Sequence, residues 1–197
     1  MGAITLAVAT CAAFAISRLK VRGGRTVMNA ALFTYFIPAA FLAVPMYKAM
    51  GAYGLLNSRW SLVLAMVTLA SPYAIWVLKQ ASDKLPWELD EAARIDGATP
   101  LQLFRLVYMP LMTPSLVAIG TYAVLLAWNE YLYAFLLLSH ENTIPLAVGL
   151  GHFLAADDSP WELLMATALV YALPPAAVYY AFRRYMVGGL TAGAVKS

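Results

Sequence analysis

Long apolar runs separated by short charged connections dominate this 197-residue chain. Five runs stand out, at residues 2–17, 26–47, 60–78, 113–138 and 163–182. The last four hold about 19 to 26 residues each, enough for a helix rising 1.5 Å per residue to cross roughly 30 Å of hydrocarbon, some with tilt. In lipid a chain must satisfy its own backbone polar groups, and for runs this long only helices do so. The expected fold class is therefore all-α: one polytopic transmembrane helix bundle over residues 1–197. The first run is short for a span. Prolines 38, 45, 72, 174 and 175 interrupt the runs. Each is read as a packing kink, with a hinge as the alternative.

Composition supports a membrane protein. The chain is 62% hydrophobic and 12% charged, against about 25% charged in a soluble domain. The net charge of +3 is too small to suggest a nucleic-acid partner, and it informs only through its placement. Arg18, Lys20, Arg22 and Arg25 follow the first run, and Lys79, Lys84, Arg94 and Arg105 lie between the third and fourth. Arg183, Arg184 and Lys196 follow the fifth. Only Lys48 and Arg59 lie elsewhere, so alternate connections are basic. By the positive-inside rule the 83–108 connection and the C-terminus face the cytoplasm. The charges after the first run argue against a secretory signal, where they would precede it. The one cysteine, Cys11, allows no intrachain disulfide and is expected to be a buried, inert thiol.

The 83–108 connection is the densest charged island. Pro86 suits a first helical turn. Glu88, Asp90 and Glu91 favour the positive end of that helix. Leu89, Ala92, Ala93 and Asp96 are spaced to share one face, with two alanines giving a shallow surface. Gly97 suits a left-handed terminus. Thr99-Pro100-Leu101-Gln102 reads as a capping box opening a second helix. Two short helices with a sharp turn are expected to form a knob outside the lipid.

Glu91-Ala92-Ala93, then Gly97, then Val107-Tyr108-Met109-Pro110 nine residues on, resembles the EAA loop of ABC-importer membrane subunits. The family's loop ends in Ile-x-Leu-Pro, so Val107 and Met109 are conservative departures. Ile95-Asp96-Gly97-Ala98-Thr99, Trp128-Asn129-Glu130-Tyr131 and the closing residues Gly188 to Ala194 resemble the carbohydrate-uptake branch. The resemblance implies a permease of the inner membrane with no cofactor and no catalytic residues. Its partners would be cytoplasmic ABC ATPase subunits, a second homologous permease subunit and an extracytoplasmic solute-binding protein, with a sugar-like solute. Glu91, Ala92, Ala93, Asp96 and Gly97 would dock the ATPase. Members of that family usually have six spans, so the chain is expected to lack the first, through a late start codon or as a fragment. A five-span protein is the alternative.

Glu130 is the only acidic residue inside an expected span. If the span starts at Thr113, Glu130 lies about 26 Å along it, near the outer side. Tyr122, Asn129 and Tyr133 are expected on the same stripe, as a candidate solute path offering hydrogen bonds and aromatic faces. The alternative is that these groups join helices or sit in an aromatic belt. His140 and His152, with Asp157, Asp158 and Glu162 nearby, match no compact metal-ligand spacing and are read as loop residues. Residues 143–150 form an apolar patch, read as a contact for the binding protein or as a re-entrant segment. No Gly-rich phosphate loop of the Walker type occurs, so ATP hydrolysis needs another chain. An ABC permease for a non-sugar solute, an ion-coupled carrier using Glu130 and an intramembrane enzyme are the rival readings.

Overall fold

The computed structural model describes residues 1–140, 142–154 and 161–191, and those residues are mainly helical with no strand among them. Helix α1 spans Gly2–Ser17, α2 Gly24–Phe33, α3 Ala39–Ala52 and α4 Arg59–Asp83. The charged connection forms α5, Glu88–Ile95, and α6, Pro100–Gln102. A π-helical turn, Leu103–Tyr108, carries α6 directly into α7, Met109–Trp128. Then come α8, Leu132–Leu137, α9, Leu146–Leu154, and α10, Trp161–Thr191.

Among the described residues, three helical stretches are long and apolar enough to cross a bilayer: Arg59–Asp83, Pro100–Trp128 and Trp161–Arg183. The 26–47 run is not one straight helix. The pair Gly24–Phe36 and Ala39–Ala52 is bent by 109° and reaches spanning length only when taken together. The cause is local. Pro38 disfavours helical geometry at the residue before it, and Ile37 is extended, with φ −89° and ψ 118°. A kink was expected at Pro38 and a break is found. Pro45, Pro72, Pro174 and Pro175 stay inside continuous helices.

The 113–138 run also divides. Helix α7 ends at Trp128, with Asn129 as its C-cap. The Asn129 side-chain amide donates to the Leu125 carbonyl at 2.9 Å, beside its own backbone N–H, which reaches the same carbonyl at 3.2 Å. Glu130 then serves the next element: its Oε1 accepts from the Tyr133 backbone N–H at 2.7 Å and so caps the start of α8. Across the bundle, the Trp128 indole donates to the Tyr171 carbonyl (3.2 Å) and the Tyr171 hydroxyl donates to the Trp128 carbonyl (2.7 Å), tying this end of α7 to α10.

Close packing comes from small side chains. Ala9 and Ala13 of α1 and Ala74 of α4 are fully buried in a cluster with Phe14, Leu78 and Tyr108. Small residues let membrane helices approach closely where lipid supplies no hydrophobic driving force. A second cluster joins Ala43 and Met50 of α3, Ala65 of α4, and Tyr133 and Leu137 of α8. Cys11 is exposed on α1; it sits on the outward side of a helix whose inward side is lined by Ala9, Ala13 and Phe14, so the buried thiol expected from the sequence is not found.

Candidate functional site: an anchored helical hairpin

The hairpin is built by local signals. Helix α5 carries Glu88, Asp90 and Glu91 in its first turn and Arg94 in its last, each sign placed where the helix dipole favours it. It ends in a Schellman motif. The Ala98 N–H donates to the Ala93 carbonyl (2.9 Å) and the Gly97 N–H to the Arg94 carbonyl (3.0 Å). Gly97 has φ +80°, which glycine adopts without the Cβ penalty. The capping box follows. The Gln102 N–H donates to Thr99 Oγ1 at 3.3 Å, and the Thr99 N–H donates to Gln102 Oε1 at 2.8 Å. The second arm is not a separate short helix. It runs through the π-helical turn into α7, so the hairpin and a long apolar helix are one continuous rod. Pro110 lacks the N–H that a regular ladder needs, and the widened turn ends at Tyr108, two residues before it.

Of the face expected to point outward, Leu89, Ala92 and Asp96 do so and Ala93 does not. Ala93 packs inward against the first core cluster. Glu91, Ala92, Asp96 and Gly97 are exposed, and Leu89 is only partly covered. Ile95 is 86% exposed. Such an apolar side chain at the tip of a polar helix suits an interface, and the sequence reading passed over it.

The base of the hairpin holds a residue that charge counting registered only as one positive unit. Arg18, just past α1, is 4% exposed. Its Nη1 donates to Asp90 Oδ2 at 3.0 Å, and its Nη2 donates to the carbonyls of Ser82 (2.6 Å) and Leu85 (3.0 Å). Its Nε donates to Ser82 Oγ at 3.3 Å. The guanidinium also lies 5.0 Å from the centre of the Trp87 ring. One side chain thus joins the end of α1, the end of α4 and the first turn of α5. Phe14 of α1 adds edge contacts with Phe104 and Tyr108 of the π-helical turn, each with centroids 5.0 Å apart. Hydrogen bonds and packed rings thus connect α5 and the π-helical turn to α1 and α4.

The second candidate group is divided. Tyr122 lies in an aromatic cluster, its ring 5.0 Å from that of Tyr73, which is 6.3 Å from both Tyr35 and Trp76. Tyr35, Tyr73 and Trp76 were not singled out from the sequence, although Tyr73 and Trp76 are spaced i, i+3 on α4. Asn129 and Glu130 occupy the break between α7 and α8. Tyr133 is 1% exposed and its hydroxyl donates to the Ala39 carbonyl at 2.7 Å. The stripe drawn through Tyr122, Asn129 and Tyr133 assumed one helix, and the break ends that register. His140, His152 and Glu162 are exposed, while Asp157 and Asp158 lie outside the described residues. The 143–150 patch mostly becomes α9, with Val148 buried and Leu146 exposed. Among the described residues no group of three His, Cys, Asp or Glu side chains is placed to hold a metal ion.

The chain is similar to known proteins along nearly its whole length. Residues 5–191 match the family described as binding-protein-dependent transport system inner membrane component. The inner membrane ABC transporter permease protein YcjP of Escherichia coli is 37% identical over 185 residues, covering 93% of this chain and 66% of that protein. The trehalose transport system permease protein SugB of Mycobacterium tuberculosis is 35% identical over 195 residues, 98% of this chain and 71% of the relative. The maltose/maltodextrin permease MalG of Vibrio parahaemolyticus is 33% identical over 199 residues, 98% of this chain and 67% of the relative. The chain thus spans about two thirds of the length of the curated relatives it matches. A crystal structure of a bacterial ABC transporter that imports the acidic polysaccharide alginate matches with a TM-score of 0.64 at 23% identity, covering 99% of this chain and 73% of that one, and shows the same fold. By this match over nearly its whole length, the chain belongs to the family of binding-protein-dependent transport system inner membrane components.

Proposed function

We propose that the chain is a permease subunit of an ATP-driven, binding-protein-dependent ABC importer for a sugar or sugar derivative. The observation that carries this is the hairpin: exposed at its tip, rigidly anchored at its base and continuous with a spanning-length helix. Glu91, Ala92, Ile95, Asp96 and Gly97 form the surface a cytoplasmic ATPase subunit grips, and Ala93 seats the helix on the bundle. The hairpin and the C-terminus face the cytoplasm. ATP-driven closure of the ATPases moves α5, and Arg18 and the π-helical turn pass the motion to α1, α4 and α7. A second homologous permease completes the pathway, and an extracytoplasmic binding protein delivers the solute. The aromatic cluster of Tyr35, Tyr73, Trp76 and Tyr122 suits the apolar faces of sugar rings, with Asn129 and Glu130 at the break above it. Sugar as the solute class draws on the trehalose and maltose relatives.

The test is reconstitution with the neighbouring permease and ATPase chains, followed by uptake of labelled trehalose and maltose. ATP-dependent accumulation, with an Arg94→Cys probe labelled only from the ATPase side, is the expected result. Uptake that follows a proton gradient and ignores ATP, or labelling from the opposite side, would sink the reading. ATP-dependent uptake of a non-sugar solute alone would retain the importer and discard the sugar.

A further inference from the structure

A cleft of about 510 Å³ opens beside the base of the hairpin, between the 18–25 connection, the last turns of α4 and Trp87. Arg18, Lys20, Arg25 and Lys79 line it, with Asp83 as the acidic residue. The charges divide into two classes. Arg18 is saturated by Asp90 and two carbonyls, and Lys79 is paired with Asp83. Lys20 and Arg25 have no ion pair among the described residues. Lys20 is held in position nonetheless: its backbone is left-handed, with φ 52°, and its ammonium lies 4.3 Å from the centre of the Trp87 ring. A side-chain-bearing residue in that conformation persists only where its surroundings enforce it. Helix α2 starts at the same wall, without a side-chain cap, so its positive end also faces the cleft.

We propose that this cleft holds the phosphate of an anionic phospholipid headgroup, between Lys20 and Arg25. Two unpaired cations over-match a single phosphodiester charge, and a tryptophan wall is suited to the headgroup level of a bilayer. Val21, which lines the cleft beside Lys20, and Val27, two residues past Arg25, are both exposed, offering apolar surface for the first carbons of the acyl chains. A soluble phosphate would have no use for that surface. The proposal rests on the orientation given under the proposed function, which sets this end of the bundle in the anionic leaflet. A lipid seated here would press against Trp87, the residue directly before α5.

The intact complex, purified in a zwitterionic detergent, is titrated with phosphatidylglycerol and separately with phosphatidylcholine, and bound lipid on the permease chain is counted by native mass spectrometry. Selective retention of phosphatidylglycerol is expected, with a roughly 30-fold loss of affinity in Lys20→Gln/Arg25→Gln, each cation near an anionic surface being worth about fivefold. Lys48→Gln/Arg59→Gln, with Lys48 in α3 and Arg59 at the start of α4, is expected to bind as the parent does. Unchanged retention in the first variant, an equal loss in the second, or displacement by inorganic phosphate would each overturn the proposal. Should the first variant fold poorly, Lys20→Gln alone is read the same way, with about a fivefold loss. Because lipid is counted on the permease itself, absence of a co-purifying ATPase would defeat the functional reading and leave this measurement standing.

Discussion

Replacing Arg18 by methionine keeps most of the side chain's length and removes its charge and donors. The structure sets the magnitude. Asp90 is 6% exposed and would remain buried with no cation beside it, and the Ser82 and Leu85 carbonyls would each lose a donor. Removing one partner of a buried pair costs about 3–5 kcal/mol, chiefly through the charge left behind. Asp90→Asn is expected to cost less, about 1–3 kcal/mol, since Arg18 keeps its backbone acceptors and loses one charged bond. The double variant Arg18→Met/Asp90→Asn removes both charges and is expected to fall short of the summed single costs by about 2 kcal/mol or more. Unfolding of the purified permease in mixed micelles, followed across the four members of the cycle, measures this. On the scale of domains this size, a loss of 3–5 kcal/mol lowers the melting temperature by roughly 6–20 °C. Hydrolysis in the single variants is expected to continue while uptake per ATP falls, because the base of the hairpin is loosened and its tip is intact. Additive single effects below about 1 kcal/mol would refute the reasoning, since they would mean that the pair is solvated and bears no load.

Three further outcomes follow from the same geometry. A Cβ built on Gly97 meets nothing within 4 Å, so Gly97→Val acts through backbone strain alone. It should cost about 1–2 kcal/mol and uncouple hydrolysis from uptake, while Gly97→Asn, which tolerates the left-handed region, should retain most coupling. Thr99→Ala removes the capping-box acceptor and should lower stability by about 1 kcal/mol, with Thr99→Ser restoring it in the same melting assay. Glu130→Gln keeps an oxygen for the Tyr133 N–H, so it should preserve the fold while Glu130→Ala loses about 1 kcal/mol; loss of uptake in the glutamine variant at normal stability would assign the carboxylate a part in solute passage beyond capping.

The parts of this fold that were legible in the sequence are those whose cause is local. The capping box and the Schellman terminus each involve residues within about five positions, so reading Thr99, Gln102 and Gly97 in place was enough. The apolar runs marked where helices lie, because lipid leaves a long apolar chain no other structure. Where those runs break was harder to see. Apolarity continues on both sides of Asn129 and Glu130, and hydropathy carries no information about where a helix stops inside a membrane. The available signals were the residues themselves: asparagine as a terminator and a carboxylate two residues before a new helix, in the middle of an otherwise unbroken run. At Pro38 the signal was present and was underestimated, since the restriction it places on Ile37 opens a 109° bend where a kink was expected.

Arg18 and Asp90 were illegible for a different reason. They are 72 residues apart, and each had a sufficient local explanation, Arg18 as a topological charge and Asp90 as a first-turn carboxylate. Each would have been satisfied by water. That they are buried against each other instead has a mechanical consequence. A hairpin held only by its two covalent arms would swing when pulled, and motion at its tip would dissipate in the linker before α5. Pinning the first turn of α5 to the ends of α1 and α4, while the second arm runs into α7, leaves no slack on either side. In the coupling role proposed for the hairpin, the ion pair stiffens it more than it stabilises the fold, since a well-packed apolar pair in its place could be as stable but would lack the directed bonds to Ser82, Leu85 and Asp90 that hold α5 in one orientation.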